Sequence, residues 1–380
     1  MISMSPATAV LSGAFIYFAY YFTYYSRKPE FFIKNGTRWA RFLENHVSSL
    51  KLKYSSLFWV PGGTIQTVVA ALLPTKHDVQ YRRESVATPD GGQFTIAWTN
   101  EKAEEGRPIV FVYPGLVSTT KSKYVQLLTD ALVKEDHTVV VMVNRGLELP
   151  CLTGKAFCAT HTTDLAQALS LVKKRHPQSP IVSIGISLGG LIMARYLAQK
   201  GDQSDITAAF LYSCPFNPVE GSANLERWHH WILYNISLTK ELKEIYLKSH
   251  DKFVGIVDHD KVMSARSIRE IDMHFTSKVF GYESVDHYYT DAIISRDFLH
   301  SIKTPTLALC ADDDAFVPYQ ALPRDEISST DYVALAVTSG GGHVSHLCGA
   351  NPYTTPYYVT MFVDYVQAVL SHLDELPPRQ

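Results

Sequence analysis

The chain has little of what marks several common protein classes. Its five cysteines (Cys151, Cys158, Cys214, Cys310 and Cys348) are odd in number and show no C-x-x-C spacing. That argues against a disulfide framework and a zinc site of ordinary spacing, and calls for no metal. Cys151 and Cys158 are near enough to pair, with buried thiols as the alternative. An excess of charge of either sign is lacking: the net charge is only −2. No basic stripe with interleaved aromatics appears, so nothing directs the chain to nucleic acid. Internal repeats and low-complexity segments are absent as well. What remains is 380 residues, 46% of them apolar and 19% charged. This composition folds rather than staying disordered, and the length allows a sizeable core.

Charge is missing altogether from residues 1–26. As a helix, Ala7 to Tyr25 would measure about 28 Å at ~1.5 Å per residue, against a bilayer core of about 30 Å. Tyr17, Tyr20, Tyr21, Tyr24 and Tyr25 crowd its second half as an interfacial belt would, and Arg27-Lys28 ends the run. A signal peptide would carry a basic start and a small-residue cleavage site, and both are lacking. The expectation is a single-pass transmembrane helix in residues 1–28, followed by a juxtamembrane helical segment over 29–78. Arg27, Lys28, Lys34, Arg38 and Arg41 follow the run, which by the positive-inside rule places the rest of the chain in the cytosol. Two N-x-S/T triplets, at Asn35 and Asn235, would matter only on the lumenal side. Trp39, Phe42, Leu43, Val47 and Leu50 recur at helical spacing and suit either a membrane surface or a neighbouring domain.

From residue 79 onward the pattern is α/β. Val79 to Ala87 and Gln93 to Trp98 flank the turn Thr88-Pro89-Asp90-Gly91-Gly92. Strand-like runs follow at Pro108–Tyr113, Thr138–Val143, Ile181–Ile186, Ala208–Tyr212, Thr306–Cys310 and Tyr332–Val337. Helical patterns at Lys121–Glu135, Thr162–Arg175 and Leu188–Lys200 separate several of them. Apolar strands alternating with helices predict a mostly parallel sheet covered on both faces, in a domain spanning 79–380. Between about 217 and 298 the alternation stops. There the chain turns helical and aromatic, as a lid inserted over an apolar site would be.

Within this pattern Gly185-Ile186-Ser187-Leu188-Gly189 stands between a strand run and a helix run. That is the setting of a nucleophile elbow, in which Gly185 and Gly189 spare the sharp turn a β-carbon. A serine hydroxyl is a weak nucleophile at neutral pH and needs a base, oriented in turn by an acid. In such a fold the acid and the histidine follow the serine in that order. Asp312-Asp313-Asp314 comes after the 306–310 run, and Gly340-Gly341-Gly342-His343 after the 332–337 run. We therefore read Ser187 as nucleophile, His343 as base and Asp314 as acid, with Asp313 as the alternative acid. His346 is expected to face solvent or the lid. Backbone N–H groups of Leu188 and of Leu116, beside Gly115 in Pro114-Gly115-Leu116, are the expected oxyanion donors.

These residues resemble a known family. Phe58-Trp59, Ile65-Gln66-Thr67, Val79-Gln80-Tyr81-Arg82, the 88–92 turn, Pro114-Gly115-Leu116, Ser122-Lys123-Tyr124, Asn144-Arg145-Gly146, the elbow, the aspartate triplet and Gly341-Gly342-His343 are together similar to the membrane-anchored ABHD-type α/β hydrolases. The subgroup is that of α/β-hydrolase domain-containing proteins one and three, within a YheT-like family, and the likeness runs from about residue 38 to 365. It implies an α/β-hydrolase fold with a helical lid and a Ser-Asp-His triad without cofactor. It also implies a single-pass endomembrane protein that cleaves acyl esters of lipids, with phosphatidylcholine as the substrate class. Relatives are described as having the catalytic part across the membrane, opposite to the side the charges favour, so orientation stays open. No histidine has an aspartate five positions later, so the H-x-x-x-x-D acyltransferase motif of wider relatives is absent. Acyl transfer by the same triad, or lipid binding without catalysis, are the rival readings.

Overall fold

Strand residues alternate between two cores. In Ile109–Tyr113, Ile109, Phe111 and Tyr113 join one buried cluster while Val110 and Val112 join the other, as the two-residue period of a strand requires. A sheet apolar on both sides must be covered on both, and helices do so. The computed structural model describes residues 6–74, 77–102 and 104–379. Residues 1–5, the beginning of the expected anchor, lie outside the described residues.

The main sheet has nine strands. In chain order they are β1 (Glu30–Phe32), β2 (Arg82–Ala87), β3 (Gln93–Thr99), β4 (Ile109–Tyr113), β5 (Thr138–Val143), β6 (Ile181–Ile186), β7 (Ala208–Tyr212), β8 (Thr306–Ala311) and β9 (Val333–Thr338). They lie side by side as β1-β9-β8-β7-β6-β4-β5-β3-β2. The run from β5 to β9 is parallel, whereas β2 and β3 at one edge and β1 at the other are antiparallel. This is the α/β-hydrolase fold that the strand and helix pattern predicts. Helices α1 (Pro6–Tyr24), α2 (Arg38–His46), α3 (Gly63–Leu72), α4 (Lys123–Lys134), α5 (Thr163–Arg175), α6 (Leu188–Lys200) and α7 (Tyr357–Ser371) complete the frame. Side chains of α5 and α6 fill one face of the sheet, and those of α2, α4 and α7 fill the other. The segment between β7 and β8 folds as short helices, two of them π-helical at Trp231–Asn235 and Asp272–Thr276.

The N-terminal expectations need correction. No helix among the described residues is long and apolar enough to cross a membrane. α1 forms over nineteen residues, but four of them are tyrosine, and phenol groups lower the hydropathy of the run. Tyr17 and Tyr21 donate their hydroxyls to the carbonyls of Phe58 and Ser56. The 29–78 segment is only partly helical, since it also supplies edge strand β1 and a two-residue strand at Tyr54–Ser55 that pairs with Ser26–Arg27. The Trp39 stripe packs on the domain. Trp39, Phe42, Leu43 and Val47 are buried, and the Trp39 indole donates to Thr306 O at 3.2 Å. Asn235 is fully buried, donating to Leu225 O and accepting from Ile268 N–H, so its triplet is closed to glycosylation. All five cysteines are free thiols.

Two motifs of the family likeness meet in a buried ion network. Arg145 grips Asp164 with two bonds of 2.6 Å and reaches Asp90 in the 88–92 turn at 2.8 Å. Bidentate guanidinium–carboxylate geometry of this kind is the strong form of the interaction. The Arg145 side chain is 4% exposed, so removing it strands the buried Asp164 carboxylate. Arg145→Ala should destabilise the fold by about 3–5 kcal/mol, read from the shift in the urea unfolding midpoint.

Candidate active site

The elbow sits where β6 ends and α6 begins. Ser187 has φ +54° and ψ −122°, a strained conformation for a residue with a β-carbon. Its N–H donates to Tyr212 O at 2.8 Å, which ties the turn to β7. The glycines are needed for close approach. A β-carbon at Gly185 would lie 2.7 Å from Gly190 Cα, and one at Gly189 would collide with the carbonyl oxygens of Tyr113 and Pro114. β4 and the elbow are thereby in backbone contact. Gly115, in the loop after β4, would place a β-carbon 3.2 Å from Ser187 Cβ.

Loops after β8 and β9 complete the constellation. Ser187 Oγ lies 2.8 Å from His343 Nε2, and His343 Nδ1 lies 2.8 Å from Asp314 Oδ2. With Nδ1–H donating to the carboxylate, Nε2 is left as the acceptor for the serine O–H. Asp314 is 2% exposed and also accepts from the N–H groups of Phe316 and Val317 at 2.7 and 3.2 Å. The Phe316 ring stacks on His343 at 4.2 Å. Of the aspartate triplet, only Asp314 reaches the imidazole. Asp312 accepts from Gly340 N–H, and Asp313 from Gly342 N–H and Gly63 N–H. Burial, with the charges of Asp312 and Asp314 beside it, pushes Asp313 up to about 7, although its backbone bonds oppose the shift.

His346 departs from expectation. It is fully buried, with Nδ1 2.9 Å from Tyr212 Oη and Nε2 2.9 Å from Thr338 Oγ1. The chain reverses at Val344 and His346, both at positive φ, which turns the side chain under the sheet end. A helical step of one turn from His343 does not describe that path.

The Leu116 and Leu188 N–H groups find no acceptor among the described residues, and both residues line the cavity above Ser187. This cavity has a volume of about 1040 Å³. Its wall is largely apolar, with Leu238, Leu242, Ile245 and Phe275 contributed by the inserted helices. α3 and Tyr234 close another side; the Tyr234 hydroxyl donates to Thr64 O at 2.8 Å. A site this large and this apolar suits a bulky hydrophobic ligand. Elsewhere His46, His372 and Glu375 bring three potential metal ligands within 4.8 Å of one another, but none of them lines the cavity.

Comparison with known proteins fits this architecture. Residues 104–345 match the Hydrolase_4 family, described as serine aminopeptidase, S33. The chain belongs to this hydrolase family. A human protein named Phospholipase ABHD3 is 34% identical to this hydrolase over 97% of the chain and 91% of its own length. A Caenorhabditis elegans protein, abhd-3.2, is 30% identical over 87% and 89% respectively. A solved esterase of Pyrococcus furiosus superposes with a TM-score of 0.50 at 17% identity, covering 77% of this chain and 91% of its own; that likeness shows the fold. The protein is an ester hydrolase.

Sequence reasoning missed Thr67, whose hydroxyl accepts from His343 N–H at 2.8 Å; a helix far upstream gives no local signal of that contact. It also misplaced His346, and the correction has a consequence for stability. Burial lowers the His346 pKa to about 3 from 6.5. The folded protein therefore keeps His346 neutral where the unfolded chain takes up a proton. Its contribution to stability is complete above about pH 6.5 and is lost as pH falls toward 3. In His346→Gln, the fall of the urea midpoint between pH 7 and pH 4.5 should be shallower than in the wild type.

Proposed function

We propose that this hydrolase cleaves the acyl ester of a phospholipid, in phospholipase A fashion, through an acyl-enzyme on Ser187. The observation that carries the reading is the unbroken hydrogen-bonded chain Ser187–His343–Asp314 at the floor of a large apolar cavity. His343 Nε2 takes the serine proton as Oγ attacks the ester carbonyl, and Asp314 stabilises the imidazolium that forms. The tetrahedral oxyanion accepts from the Leu116 and Leu188 N–H groups, which have no acceptor among the described residues. Collapse expels the lysophospholipid alcohol, which receives its proton from His343. Water, deprotonated by the same nitrogen, then releases the fatty acid and restores the serine. The acyl chain occupies the apolar cavity beneath the inserted helices. The phospholipid class is supported by the name of the human relative and by the size of the cavity.

In this reading the enzyme meets its substrate at a membrane, on an endomembrane as the family likeness implies. What supports it is α1, on which Val10, Leu11, Phe15, Ile16 and Phe22 are exposed. An apolar side chain left in water is favourably transferred to lipid, about 1.5–3 kcal/mol for each large one.

Three measurements test the reading. A fluorophosphonate probe should label the wild type and not Ser187→Ala, and the substitution should lower kcat by at least about 10⁴-fold. Equal labelling of both would overturn the triad. Wild-type product from phosphatidylcholine should be free fatty acid and lysophospholipid; an ester product with little free acid, when an alcohol is added, would overturn hydrolysis. The full chain should float with phosphatidylcholine vesicles in a density gradient, and Phe15→Glu with Ile16→Glu should weaken that flotation severalfold.

A further inference from the structure

The loop that carries His343 has little structure of its own. Gly340, Gly341 and Gly342 have φ of +77°, +128° and +63°, a backbone that no regular ladder holds. Its position is set by what it touches. Part of that is within the domain: Val344 N–H donates to Ser213 Oγ at 3.2 Å, and His346 N–H to Gly341 O at 2.9 Å. Asp312 accepts from Gly340 N–H at 2.7 Å and Thr338 Oγ1 donates to Gly340 O at 2.8 Å, and a further part comes from the N-terminal segment. Thr67 Oγ1 accepts from His343 N–H at 2.8 Å while donating to Gly63 O at 2.9 Å. Asp313 joins Gly63 N–H to Gly342 N–H. The fit is close: a β-carbon at Gly342 would collide with Gly63 O, and one at Gly340 would lie 3.0 Å from Pro61 O. The segment is itself pinned, with Ser56 Oγ donating to Pro61 O at 2.9 Å and Tyr21 of α1 donating to Ser56 O. Arg27 reaches the same loop through Ser339 and Asp312.

We propose that Thr67 is a positioning residue for His343, and that residues 61–67, clamped to the histidine loop through Asp313, make the N-terminal segment an integral part of the hydrolytic site. The inference rests on the Ser187–His343 reading above. Thr67 acts through the main chain of His343, by fixing where the imidazole stands between Ser187 and Asp314. Displacing a catalytic group by a fraction of an ångström from its productive geometry lowers turnover steeply. A path of hydrogen bonds then runs from α1 through Ser56, Pro61–Thr67 and Gly342 to His343, so the seating of α1 bears on catalysis as well as on location.

The test uses the full chain in detergent micelles with a water-soluble ester, p-nitrophenyl butyrate, so that membrane delivery plays no part. Thr67→Val keeps the shape and removes the acceptor. It should lower kcat about tenfold with KM within twofold, and should shift the acidic limb of the pH–rate profile, because the imidazole is no longer held squarely on Asp314. Thr67→Ser, which restores the hydroxyl, should return kcat to within threefold of the wild type. Asp313→Asn breaks the clamp at a second point and should show the same loss of kcat; it serves as the measurement if Thr67→Val fails to fold. A Thr67→Val enzyme with kcat within twofold of wild type, a loss that falls on KM, or a loss that serine does not recover would each overturn the inference. Ser187→Ala separates the two readings. An inert Ser187→Ala beside an unaffected Thr67→Val sinks only the role of Thr67, whereas an active Ser187→Ala sinks both.

Discussion

One strained residue organises the rest of this structure. Ser187 stands at φ +54° at the carboxyl end of β6, and a conformation of that kind costs on the order of 1–3 kcal/mol unless its surroundings hold it. They hold it here from three sides. Tyr212 O of β7 binds its N–H, α6 starts at the next residue, and the carbonyls of Tyr113 and Pro114 at the end of β4 pack directly on Gly189. The contacts that keep the turn strained also deliver the loops with which the serine must work. β4, β6 and β7 are neighbours in the sheet, so the loop bearing Gly115 and Leu116 and the elbow emerge side by side. At the carboxyl ends of adjacent parallel strands, chain segments far apart in sequence gather around one point.

The histidine side of the site is built on a different principle. Its loop is glycine-rich and is held almost wholly by side-chain hydrogen bonds: Asp312 and Asp313 beneath the glycines, Thr67 beneath His343, Ser213 beneath Val344. Hydroxyl bonds of this sort are each worth about 0.5–1.5 kcal/mol net, and bonds to a charged carboxylate about 1.5–3 kcal/mol. Placement of the imidazole therefore depends on several weak constraints acting together rather than on one strong one. Two of the three aspartates in the triplet serve this scaffold, and only Asp314 serves the imidazole. Above the site, the inserted helices supply an apolar wall in place of polar specificity. In the proposed reaction such a wall would keep water from the reacting atoms.

Local pattern made much of this legible. The strands at Thr138–Val143, Ile181–Ile186 and Ala208–Tyr212 have the same bounds in sequence and structure, because parallel strands buried on both faces are continuous apolar runs with sharp polar ends. The elbow announced itself through glycines that only a close-packed turn requires. Edge features were harder to read. β1 is three residues long with two of them exposed, too short a run to show a strand period, and it pairs with β9 at the sheet edge. The aromatic run at the N-terminus suggested a membrane span, yet its phenols make hydrogen bonds to neighbouring backbone, and periodicity does not report such partners.

By itself the sequence determined the fold class, the order of the strands along the chain, and the order of serine, acid and histidine, since these follow from local propensity and from chemistry tied to short motifs. Tertiary structure alone decided which aspartate meets His343, where His346 goes, and that Thr67 and Gly63 belong to the histidine loop. Each of these is a contact between segments tens to hundreds of residues apart, or the outcome of a backbone reversal at positive φ. Such contacts are fixed by how the sheet brings its loop ends together, and no short stretch of sequence carries that information.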